Sequence, residues 1–65
     1  MLDIIKTVRI CDNGDLTLVK FDSGGYEIQY SEGDTIVDTE GLYTNKKDAL
    51  KVFDIWEKDL MIGRL

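Results

Sequence analysis

The chain has no histidine, no proline, one cysteine and one tryptophan among 65 residues, and each shortage removes a class of function. Without histidine, the usual base that activates a serine or cysteine nucleophile is missing. Ser23 and Ser31 sit where serine commonly serves a turn. With Cys11 alone, no intrachain disulfide can form and no pair of thiols can share a zinc ion. Arg9 is the one cation near Cys11 in sequence, so Cys11 reads as a small core hydrophobe rather than a reactive thiol. Long apolar runs are also absent. No stretch approaches the ~18–20 residues of a membrane span. "MLDIIKTVRI" has no basic segment before an apolar one, so it reads as a first strand and not a signal peptide. The expectation is a cytoplasmic protein with no membrane contact.

Phosphate loops are missing too. "DSGGY" matches neither glycine-rich spacing for nucleotides, and Asp22 beside it repels anions. Calcium has one candidate, "DNGDLT", with Asp12, Asn13 and Asp15. It lacks the alternating acids and terminal glutamate of an EF-hand, so no metal and no cofactor are expected. An enzyme is not expected either, since paired carboxylates need a cleft and a buried carboxyl that so short a chain hardly provides.

What the chain does have is acid. The net charge is −5, and it is uneven. From Asp12 to Glu40 eight acids face only Lys20, while residues 1–11 and 41–65 are each +1. That distribution argues against direct nucleic-acid binding, which needs clustered Lys and Arg. It suits a protein partner with a basic surface, or solubility alone.

Short runs rich in Val, Ile, Thr, Tyr and Phe, separated by glycines, predict strands near 3–11, 16–22, 26–31 and 35–39. Two-residue turns at Asn13–Gly14 (type I′) and Gly24–Gly25 pair Val8 with Val19 and Phe21 with Ile28. They set Ile4, Val8, Ile10, Val19, Phe21, Tyr26, Ile28 and Tyr30 on one face. Lys6, on an edge strand, passes Phe21 and discourages edge pairing. A glycine bulge at Asp12–Gly14 is the alternative, grouping Leu16 and Leu18 with Val8 and Ile10.

After Gly41 the period becomes helical. Thr44 and Asn45 are candidate N-caps and Gly63 a candidate C-terminal stop. Ala49, Phe53, Trp56 and Leu60 form one stripe of a helix over about 45–62. The expected fold is α+β in a single domain, residues 1–65: a three- to four-stranded antiparallel meander with one C-terminal helix packed on one face. A small β-barrel plus helix is the alternative.

Two surfaces stand out. In an up-and-down meander the first and third turns share one end, so Asp12, Asp15, Glu32 and Asp34 are expected to form an acidic rim for a partner. On the helix, Ile55 and Ile62 lie away from the core stripe, with Lys51 and Lys58 beside them, as a seam for a partner or a second copy. A core this small, worth ~3–5 kcal/mol, leaves a homodimer and a monomer equally open. The functional expectation is a non-catalytic acidic interaction module. It would act as an inhibitor or DNA mimic, of the kind found in phages and mobile elements, blocking a basic nucleic-acid-handling protein. A homodimeric structural or regulatory domain using the helix seam is the alternative.

Overall fold

The computed structural model describes residues 2–62. Four strands, β1 (Asp3–Cys11), β2 (Gly14–Lys20), β3 (Tyr26–Glu32) and β4 (Thr35–Tyr43), precede one helix, α1 (Lys46–Ile62). The strands form one open antiparallel sheet in the order β1-β2-β3-β4. It is an α+β meander with the helix on one face. β1 and β4 are its two edges, so the sheet is not a closed barrel.

The register differs from the one the glycine turns suggest. β1 and β2 pair Thr7 with Thr17 and Val8 with Leu16, around the two residues Asp12 and Asn13. Among the described residues none other than glycine has a positive φ, so Asn13 does not adopt a type I′ conformation. Gly14 is instead the first residue of β2, and it is there for a close approach. A Cβ on it would overlap the Tyr30 hydroxyl and come within 2.9 Å of Cys11 Sγ. The second hairpin closes through Phe21, whose amide donates to the Gly25 carbonyl at 2.8 Å, while the Gly24 amide donates to the Phe21 carbonyl at 2.9 Å. Gly24 sits at φ +99°, the left-handed position of a three-residue loop with a glycine bulge. Phe21 is thereby a loop residue and cannot sit opposite Ile28, whose partner is Leu18.

Both shifts are odd, and side chains alternate along a strand, so β2 turns over relative to β1 and β3, and the bulge at Ile5 also moves Ile4 off the core face. Leu16 and Leu18 join Ile10, Tyr26, Ile28, Tyr30, Ala49 and Phe53 in the core, with Val8 and Ile5 packed against it. Ile4 and Val19 pair with each other on the opposite face. That face carries a row of Thr7, Thr17, Gln29 and Thr39 across all four strands, polar enough to meet water uncovered.

The helix covers the apolar face because its stripe matches it. Ala49 and Phe53 are fully buried, and Leu50, Val52, Trp56 and Leu60 pack around them. Asn45 caps it: Asp48 N–H donates to Asn45 Oδ1 at 2.8 Å and Asn45 Nδ2 donates to Asp48 Oδ2 at 3.0 Å, satisfying an otherwise orphaned amide. The candidate stop at Gly63 lies outside the described residues. Lys6 lies 5.1 Å from the centroid of the Phe53 ring, not beside Phe21.

Candidate functional site

The acidic rim residues do gather at one end of the sheet. Gly14 pairs with Glu32 and Asp15 with Ser31, and the Gly33 amide donates to the Asn13 carbonyl at 2.9 Å, tying the first turn to the third. They do not make one uniform cluster. Asp15 lies on the uncovered face, where Arg9 Nε donates to Asp15 Oδ1 at 2.5 Å and Arg9 Nη1 to the Asp12 carbonyl at 2.9 Å. Glu32 accepts from the Tyr30 hydroxyl at 3.2 Å, towards the helix side. Asp12, Glu32 and Asp34 are exposed. Lys46 and Lys47 follow the far end of β4, about 27 Å of extended chain from the rim, and do not neutralise it. Arg9 does so in part, on the first turn.

The expected seam residues lie on the solvent side of α1. Ile55 is 56% exposed and Ile62 67%. Lys58 pairs with Asp54 at 3.0 Å on the outer side, and Lys51 is exposed nearby. Among the described residues no three His, Cys, Asp or Glu side chains are grouped to hold a metal ion, and no helix is long and apolar enough to cross a membrane.

The structure adds a third surface, strand β4. Eight of its nine residues are exposed. Its pairing with β3 skips Val37 and Leu42, two bulged residues whose side chains are 54% and 68% exposed, beside Ile36 at 54%. This strand belongs to the most acidic part of the chain. Residues 21–45 contain Asp22, Glu27, Glu32, Asp34, Asp38 and Glu40 with no Lys or Arg, a balance of −6. Residues 1–20 balance to zero and residues 46–65 to +1. The net negative charge therefore comes from the segment that carries β3, β4 and the loop before them.

Glu40 fastens this edge to the helix. It accepts from Trp56 Nε1 at 3.0 Å and from the Tyr43 hydroxyl. The hydrogen bond to Glu40, with some burial and the nearby negative charge, raises the Tyr43 pKa above its ordinary 10.0. Asp38 Oδ1 accepts from the backbone amide of Thr39 at 2.9 Å. The absence of bases between Lys20 and Lys46 is legible in the sequence. The bulges that expose Val37 and Leu42 leave no composition signal.

A shallow surface pocket of about 360 Å³ lies between Ser23–Gly25 and Leu42–Thr44. It holds no titratable side chain except Tyr43, so it offers shape and little chemistry. Neither a family model, nor a curated protein, nor a solved structure matches this chain.

Proposed function

We propose that this protein is a non-catalytic interaction module that binds a protein with a basic surface and thereby inhibits it. The observation that carries this reading is the segregation of charge: a −6 balance over residues 21–45, which include the exposed edge strand β4, against a neutral balance over residues 1–20, which include β1 and β2. Separated fields of this kind steer encounter with a partner of opposite sign and suppress association with like-charged surfaces. Exposed Ile36, Val37 and Leu42 within the same acidic strand supply the apolar area that charge alone lacks for a lasting complex. Glu32 and Asp34 extend the surface to the rim, whereas Asp12 and Asp15 contribute less because Arg9 engages that turn. A partner that handles nucleic acid suits this surface, since its groove is already built for a polyanion.

The test is capture from lysate with identification of the partner, repeated with a variant combining Glu32→Lys, Asp34→Lys, Asp38→Lys and Asp12→Lys. Loss of a basic partner, with capture retained by Ile55→Ser/Ile62→Ser, supports the reading. Undiminished capture by the charge-reversed protein overturns it.

The exposed Ile55 and Ile62 of α1 favour a second reading, a homodimer closed along the helix. Sedimentation separates the two: a dimer that Ile55→Ser/Ile62→Ser converts to monomer supports the seam.

A further inference from the structure

We infer that β4 takes up an extended basic segment of its partner as a fifth strand of the sheet. This deepens the proposal above, and rests on its reading of the β3–β4 side as the partner-binding surface. An outermost strand presents a row of backbone groups without a neighbour, and β-strand addition uses such a row for affinity and side chains for selection. Between its bulges at Val37 and Leu42, β4 keeps a regular stretch, Asp38–Gly41, paired residue by residue with β3. In an antiparallel ladder alternate residues turn their N–H and C=O outward. The amide of Thr39 donates to the Asp38 carboxylate, which assigns Thr39 and Gly41 to the outward set.

That local hydrogen bond says what the incoming strand must bring. When a backbone carbonyl of the added strand accepts from Thr39, the Asp38 carboxylate loses its donor and needs a cation. A lysine or arginine neighbouring that carbonyl supplies it, as a charge-assisted contact. Glu40 is already engaged by Trp56 and Tyr43, so Asp38 is the acid that selects the ligand. Val37 and Leu42, five residues apart and both exposed, flank the stretch and fit apolar residues at the two ends of the added segment.

A second copy of this chain is the wrong occupant for β4. Self-pairing sets Asp38 and Glu40 against acids of their own kind, and like charges on neighbouring strands destabilise pairing. The acids therefore keep an exposed nine-residue edge closed to itself while leaving it open to a basic strand.

The experiment uses a blocked octapeptide of alternating lysine and valine, titrated against the full-length protein by calorimetry and amide chemical-shift mapping. The expected result is saturable binding with shifts concentrated on residues 36–42. Asp38→Lys should weaken it at least tenfold. A peptide with the same side chains but N-methylated on every amide removes the backbone donors and keeps the charge, and should also bind at least tenfold more weakly. Equal binding of the two peptides, with Asp38→Lys still damaging, overturns strand addition and leaves the acidic surface reading intact. Shifts confined to Asp12–Asp15 and Glu32–Asp34 move the site to the rim and also overturn it. Failure of both peptides to bind removes both readings, and a dimer through β4 in sedimentation removes the proposed occupant.

Discussion

The two edges of the sheet are built on one plan and finished differently. β1 and β4 are each nine residues long, and each has two bulges five residues apart: Ile5 and Ile10 in β1, Val37 and Leu42 in β4. In β1 the bulged residues pack inward. Ile10 is 7% exposed and Ile5 packs on the core. In β4 the bulged residues face water. β1 carries Lys6 and Arg9, the first over Phe53 and the second on Asp15. β4 carries Asp38 and Glu40 and no base. The same device thus turns two side chains of one edge into the core and displays two on the other. A bulge re-aims a side chain, and only its surroundings decide whether the result is packing or display.

The largest expected break in this comparison is between the bulged residues themselves. Ile10→Ala should cost about 2–4 kcal/mol, as a buried truncation, whereas Val37→Ala should stay within about 0.5 kcal/mol, as a surface change. Urea unfolding of the two variants measures the difference, and equal losses would contradict the asymmetry. With a core worth so little, Ile10→Ala should be close to unfolding at 37 °C.

Glycine positions sharpen the same contrast between hairpins. Gly14→Ala forces a Cβ into the Tyr30 hydroxyl and should cost about 1–3 kcal/mol by overpacking. Tyr30→Phe in the same protein should recover part of it. Gly24→Ala meets no atom within 4 Å, so its cost of about 1 kcal/mol comes from the positive φ alone, and no neighbouring truncation should rescue it.

A third expectation concerns how β4 avoids itself. Asp38→Val with Thr39 and Glu40 unchanged should raise self-association in sedimentation at high concentration, and Lys6→Val on β1 should do so less, because Arg9 remains beside it. The smallest effect is electrostatic. Tyr43 has its pKa raised by the hydrogen bond to Glu40. Its contribution to stability is complete below the unfolded tyrosine value near 10 and is lost as pH rises through the higher folded value. Glu40→Gln should return the spectrophotometric Tyr43 titration towards 10 and flatten stability above that pH. An unchanged titration would remove Glu40 as the cause.

The comparison also explains what could be read in advance. The helix was legible almost to the residue, because Asn45, Ala49, Phe53, Trp56 and Leu60 agree on one cap and one stripe. Four strands in meander order were legible from glycine punctuation. The orientation of β2 was not. Two separate turn assignments agreed on the core face, yet both were displaced by an odd number of residues. Turning over one middle strand satisfies both hairpins at once, so their agreement carried no independent weight. The deciding fact, that Gly14 is small to admit Tyr30 rather than to bend the chain, lies in tertiary contact. Leu16 and Leu18, apolar at alternate positions beside polar Asp15 and Thr17, were the local signal for the opposite choice. Of the surfaces, the rim was legible from topology and the seam from helical period. The β4 edge was not, since its display depends on two bulges.

Trp56 is the chain's one tryptophan, and its indole N–H is held by Glu40 of β4. The protein thereby carries its own fluorophore on α1, bonded to the strand proposed to take the partner. A change in emission on adding a partner would register events at that edge without any label, and Glu40→Gln would silence part of the signal while leaving the fluorophore in place.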